Sequence, residues 1–191
     1  MNSLEETVCF ECTKCGACCK EDSLLVTVTG RDLVRLSMIL GLSSTELLRA
    51  VDFYLESGLP SKKGLRDFPA LITERGPAYM ALKKMEDGSC VFLKDDLCMI
   101  HSIRPAVCIS FPFVFKNDGD HLKWGLNHLK HICPGLGIGP EVKEAELIEI
   151  ADSVLEDLFL FREFGEEWNQ TSNPTAQKLI EKILSDSRFE F

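Results

Sequence analysis

The chain carries nine cysteines, at positions 9, 12, 15, 18, 19, 90, 98, 108 and 133. Five fall within eleven residues, and none follows position 133. In a reducing compartment, clustered cysteines point to metal or catalysis rather than to disulfides. Cys12-x2-Cys15-x2-Cys18-Cys19 has chelate spacing. Two intervening residues let the backbone loop around one metal so that both thiolates reach it. The same triple step opens the bacterial ferredoxin run, whose remaining cysteine is followed by proline. Cys133-Pro134 supplies a Cys-Pro pair far away in sequence, and Cys90-x7-Cys98-x9-Cys108 adds three more thiols. The eight cysteines from 12 to 133 suffice for two four-thiolate sites, or for one site with spares. Buried free cysteine is the bland alternative. It suits one or two thiols, not four in eight residues flanked by Lys14, Gly16, Lys20 and Glu21. Cys9 continues the every-third-residue spacing backwards and reads better as a spare thiol. All eight are expected to converge despite the 70 residues between Cys19 and Cys90.

An α+β fold is expected to position them: a small cysteine-rich metal-binding core with short hairpins, packed with N-terminal and C-terminal helices. Residues 1–140 read as the cysteine-cluster domain, and 141–191 as a helical extension packed on it. Leu24–Val28 is β-prone. Thr29-x-x-Asp32 resembles a capping box, Leu33, Leu36, Ile39 and Leu40 follow at helical spacing, and Gly41 ends the helix. Ser43 or Ser44 caps a second helix with Leu47, Leu48, Val51 and Leu55 as its stripe. Residues 60–78 read as loop, with Lys62-Lys63-Gly64 as a turn. Strands are expected near 79–84 and 90–93, a short helix over 103–109, and a hairpin of Val114-Phe115 with 121–126. Residues 133–140 read as loop. A helix over 141–168 should bury Val142, Ala145, Ile148, Ala151, Leu155, Leu158 and Phe159. A last one after Asn173 should bury Leu179, Ile180, Ile183 and Leu184.

Composition removes several function classes. The 191 residues hold 30 acids and 21 Lys plus Arg, a formal charge of −9. Residues 141–191 carry 13 acids against 5 bases. No basic face exists to replace counterions on phosphates, so a nucleic-acid partner is not expected. No apolar run approaches the roughly 18 residues of a membrane span. The acidic start lacks the basic and apolar regions of a signal peptide, so a cytoplasmic location is expected.

The combined motif resembles a known family. Phe10-x-Cys12-x2-Cys15-Gly16-x-Cys18-Cys19, then Cys90-x-Phe92-Leu93-x4-Cys98-x-Ile100-His101-x2-Arg104-Pro105-x2-Cys108-x2-Phe111-Pro112-Phe113, then Cys133-Pro134-Gly135, is similar to the YkgJ-type cysteine-cluster family of zinc- or iron-chelating proteins. The resemblance covers residues 10–140. It implies metal chelation by Cys12, Cys15, Cys18, Cys19, Cys90, Cys98, Cys108 and Cys133, often as an iron–sulfur cluster. Most members carry tyrosine where His101 stands, and Cys9 lies outside the pattern. Charge does not separate zinc from iron–sulfur, since four thiolates give −2 on either Zn²⁺ or [4Fe–4S]²⁺. The triple step and the Cys18-Cys19 pair favour the 4Fe–4S cluster over zinc.

Three functions are therefore open. The first is an iron–sulfur protein with a redox or electron-transfer role and a protein redox partner. The second is a zinc-stapled binding module without catalysis. The third is a metal-dependent protein-modification enzyme related to flagellin lysine methylases, which carry a similar motif in longer chains. No methyl-donor glycine loop is recognisable here. Whether the chain is an enzyme stays open. Among the remaining residues, His128-x2-His131-x-Cys133 reads as exposed histidines rather than a mixed site. Arg104 reads equally as a surface arginine or as a guanidinium beside an anionic cluster. Gly135-x-Gly137-x-Gly139 reads as a turn, because Glu141, Glu144 and Glu146 would repel phosphate. Trp124, Trp168 and the phenylalanines read as core.

Overall fold

Thr29 and Asp32 start the chain's first long helix. The Thr29 hydroxyl accepts from the Asp32 backbone N–H, and the Asp32 carboxylate accepts from the Thr29 backbone N–H at 3.0 Å. This reciprocal cap satisfies two amides that a helix start otherwise leaves open. The computed structural model describes residues 8–59, 64–65, 67–119 and 121–190. In chain order the elements are β1 (Cys9–Phe10), α1 (Ala17–Lys20), α2 (Gly30–Leu40), α3 (Ser44–Leu47), β2 (Val51–Leu55), β3 (Leu71–Thr73), β4 (Gly76–Leu82), β5 (Leu93–Lys94), β6 (Leu97–Cys98), α4 (Ala106–Ser110), β7 (Phe113–Asp118), β8 (His121–Leu126), β9 (Leu136–Glu141), α5 (Glu144–Trp168) and α6 (Ala176–Leu184). The class is α+β, with helices and several small antiparallel sheets.

The central sheet runs β2-β4-β3. β4 pairs with β2 from Val51↔Leu82 to Leu55↔Ala78, and with β3 from Leu71↔Ala78 to Thr73↔Gly76. Residues 26–28 take the edge of β4 beyond β3, with Val28 N–H donating to Met80 O and Leu82 N–H to Val26 O. β4 is covered on both faces, so Ala78 through Leu82 are all buried. Helices α2, α5 and α6 close the core with Leu33, Leu36, Phe161, Phe164, Leu179, Ile180 and Ile183. Phe189 reaches back across the first turn of α2. A Cβ at Gly30 would lie 2.4 Å from its ring, so only glycine admits this approach.

Charge also ties helices together. Arg31 on α2 pairs with Glu156 and Asp157 on α5 at 3.1 and 2.9 Å. Asp157 is buried, so the pairing answers a desolvated carboxylate rather than decorating a surface. Among the described residues no helix is long and apolar enough to cross a membrane.

Several sequence expectations need correction. The second helix stops at Leu47, and Val51–Leu55 is strand β2. Residues 71–78 are not loop but belong to β3 and β4, which meet in a turn at Glu74-Arg75. Of the strands expected near 79–84 and 90–93, the first falls largely within β4, while the second gives only the Lys84↔Cys90 bridge, the Val91 N–H donating to Lys83 O, and the start of β5. Residues 136–141 form β9, paired with β1. On α5, Ile148 and Phe159 are exposed, while Leu147, Phe161, Phe164 and Trp168 are buried. Lys62 and Lys63 of the expected turn lie outside the described residues.

Candidate metal centre

The cysteines reach the site from several short elements and from the coil beside them. Gly16 begins α1 in a left-handed conformation, and α1 carries Cys18 and Cys19. The Cys90 N–H donates to Cys19 O at 2.8 Å, which docks the knuckle on the second cysteine group. Lys84 Nζ donates to Glu21 O at 2.6 Å beside that junction. Cys98 stands on β6 and Cys108 on α4. The start of α4 is held from afar, because the Ala106 N–H donates to the buried Asp32 carboxylate at 3.0 Å. Cys133 is set by the ribbon that follows it. Glu11 N–H donates to Gly135 O at 3.1 Å, and Val142 N–H to Val8 O at 2.8 Å.

The eight cysteines line one cleft in two parts. An outer part of about 70 Å³ is bordered by Cys12, Cys15 and Cys133, with His101, Arg104 and Pro134. An inner part of about 20 Å³ is bordered by Cys90 and by the apolar side chains of Val26, Leu82, Ile100 and Val107. Cys18, Cys19, Cys98 and Cys108 face both parts. Cys12 and Cys15 are exposed, whereas Cys90 is 4% exposed. The thiols line walls rather than meet at a point: among the described residues no three His, Cys, Asp or Glu side chains are close enough to hold a metal ion as they stand. Cys9 lies on β1 and lines neither part, and His128 and His131 are exposed and also stay outside.

The local electrostatics favour ionised sulfur at two positions, Cys18 and Cys98. Cys19 shares hydrogen bonds with Cys18 and Cys98. These hold the Cys18 thiol down at about 7 and Cys98 at about 6, and push Cys19 up. Arg104 adds to the lowering at Cys98. Burial raises Cys90, Cys108 and Cys133. Since the thiolate is the metal ligand, the lowered pair supplies donors near neutral pH. His101 Nε2 stands 3.7 Å from Cys12 Sγ and 2.5 Å from Arg104 Nη1. Burial and then the Arg104 charge lower its pKa, which favours the neutral ring.

Two contributors were not visible in the sequence reading. Asp32 showed only its local cap, because its second partner lies 74 residues away. Gly135 showed only a turn. A Cβ there would lie 2.2 Å from Glu11 O, inside the backbone of the β1 ribbon. Gly135→Ala is therefore expected to part the Glu11–Gly135 contact and draw Cys133 off the cleft. Metal content per chain should fall at least about twofold, against unchanged content for Gly58→Ala, away from the ribbon, where a Cβ meets nothing and the backbone is not left-handed. Equal metal in both variants defeats this role for the ribbon.

The donor set fits a thiophilic metal, since soft sulfur ligands select zinc or iron–sulfur clusters. In comparison with known proteins, a family model for CxxCxxCC, described as "Putative zinc- or iron-chelating domain", matches residues 11–134. No curated protein and no solved structure matches the chain.

Proposed function

Because this chain belongs to the CxxCxxCC family of zinc- or iron-chelating domains, we propose that its outer cleft holds a four-iron iron–sulfur cluster and that the protein transfers electrons. One observation carries the reading. Cys133-Pro134 folds against the same cleft as Cys12, Cys15 and Cys18, although 114 residues separate Cys18 from Cys133. The ligand order of a ferredoxin run is thereby completed in space.

The bound cluster supplies one-electron exchange. The chain's own residues set its surroundings. Cys12 and Cys15 lie at the exposed rim, where a protein redox partner approaches. Phe10 and Phe111 supply an apolar wall. Arg104 brings a fixed positive charge that acts on Cys98, which raises a reduction potential by favouring the more negative state. The nine free thiols suit a reducing compartment such as the cytoplasm.

Anaerobic purification followed by iron and acid-labile sulfide analysis tests the reading. About four of each per chain and visible absorption are expected. Serine at Cys12, Cys15 or Cys18 should lower both far more than serine at Cys9. Zinc without sulfide or colour would falsify the cluster and leave a zinc-stapled module.

A further inference from the structure

Helix α5 has two apolar faces, and the fold uses only one. Its inward face buries Leu147, Ala151, Phe161, Phe164 and Trp168. On the opposite face Ile148 is 41% exposed and Phe159 56%. Leu155 is half-buried there and Asp152 is exposed. Residues 148, 152, 155 and 159 follow at spacings of four, three and four, so they form one stripe along the helix. Single apolar side chains at a surface need no explanation, but an aligned stripe of them marks an interaction site.

A second row runs beside the stripe. Glu149, Glu156 and Glu163 are exposed and stand seven residues apart. An apolar seam edged by a charge in every heptad is the surface that one helix offers to another in a coiled-coil contact. The seam ends at Arg162, whose Nε donates to Asp67 O at 2.7 Å. An open groove of about 630 Å³ follows the same stretch, lined by Asp152, Ser153, Leu155, Glu156 and Phe159 of α5 and by Asn117 of β7. A partner's side chains can seat there beside Phe159.

Charge selects the occupant. Of the acids named here, Glu156 alone has an ion pair among the described residues, to Arg31 at 3.1 Å. A parallel pair of copies joined by this face would set Asp152 against Asp152. An antiparallel pair would set one glutamate row against the other. Like charges brought together in an interface are costly, so a second copy is a poor occupant. A helix with its own apolar seam and flanking cations meets both the stripe and the acidic row.

We propose that this face of α5 docks a helical segment of another protein, apolar along one seam and flanked by lysine or arginine. The face lies outside residues 11–134, so it belongs to this chain beyond its chelating domain. Since α5 packs on α4, which carries Cys108, a partner laid on α5 stands one helix away from the metal centre.

The test uses the full metal-loaded chain and a synthetic peptide of three heptads, with leucine at the seam positions and lysine at the flanking ones. Its lysine rows repel one another and keep it from pairing with itself. The controls are the same peptide with glutamate for lysine, and a scrambled peptide of unchanged composition. Saturable one-to-one binding is expected by calorimetry, at least about tenfold tighter than to either control. Phe159→Ser, at an exposed position, should weaken it about tenfold with unchanged circular dichroism. Glu149→Lys together with Glu163→Lys breaks no described ion pair and should turn the preference toward the glutamate peptide. Equal binding of the scrambled peptide, or wild-type affinity in Phe159→Ser, overturns the proposal. So does a wild-type dimer in analytical ultracentrifugation that Phe159→Ser converts to monomer, since the occupant is then a second copy. No thiol takes part, so these outcomes are independent of whether the centre holds zinc or a cluster.

Discussion

Metal removal under reducing, anaerobic conditions is expected to release residues 9–20 and 85–135 while leaving most of the helical signal. The magnitudes make this the largest effect in the molecule. A structural zinc ion contributes roughly 10–16 kcal/mol in small zinc peptides at neutral pH. A whole domain is stable by only about 5–15 kcal/mol. Burial shows where the loss falls. The largest fully buried side chains are Phe161, Phe164, Phe189, Leu33, Leu36 and Leu47, followed by others from 28 to 80 and from 179 to 183; none lies between 85 and 135. Without metal, that stretch keeps β-hairpins and short helices but little apolar anchorage. Hydrogen exchange should rise sharply in 9–20 and 85–135, and much less across 144–168. Equal protection with and without metal would show that the centre does not organise this half.

Asp32→Ala should produce the second large effect. The carboxylate accepts from the N–H groups of Thr29 and Ala106 and from Arg35, each at 3.0 Å. Truncation leaves two buried amides without partners, at about 1–3 kcal/mol each, so a loss of about 2–5 kcal/mol is expected in urea unfolding. Metal content should drop as well, because the start of α4 and hence Cys108 loses its tether. The pH dependence has a definite sign. Burial pushes the Asp32 carboxyl up from 3.8 to about 6, outweighing its hydrogen bonds and Arg35. The folded state therefore holds this proton more tightly than the unfolded chain does. Its stabilising share is complete below about pH 4 and is lost as the pH rises through 6. The stability gap between wild type and Asp32→Ala should widen from pH 7 to pH 5. A constant or narrowing gap would mean that the carboxyl is not desolvated.

Much of this was legible in the residues, for stated reasons. Thr29, Asp32 and Gly41 marked both ends of α2 because capping chemistry is local. The α6 stripe was equally clear, and Leu179, Ile180 and Ile183 are fully buried. Val51–Leu55 misled because Leu48, Val51 and Leu55 fit a helical repeat while Val51, Phe53 and Leu55 fit a strand. Pairing with β4 decided for the strand. β9 was hidden by its glycines and proline, which have low strand propensity. Its hydrogen bonds come from residues 8–11, more than a hundred positions earlier. On α5 apolar residues occupy nearly every side around 155–161, so spacing alone did not show which ones face the core. Spacing picked out the cysteines that line the cleft, but not its two parts, which depend on how distant segments pack around α1.

The C-terminal helices have a consequence for any attempt to transplant the metal centre. The family match ends at residue 134, which suggests a detachable cassette. The packing argues otherwise. Leu33, Leu36, Leu47, Leu71 and Met80 share one core with Phe161, Phe164, Ile180, Ile183 and Phe189. A fragment cut near residue 140 would present that half-core to water as an adhesive face. The portable unit is therefore the chain through Phe189, and a graft must carry the cysteine-free helices that share this core with Cys90.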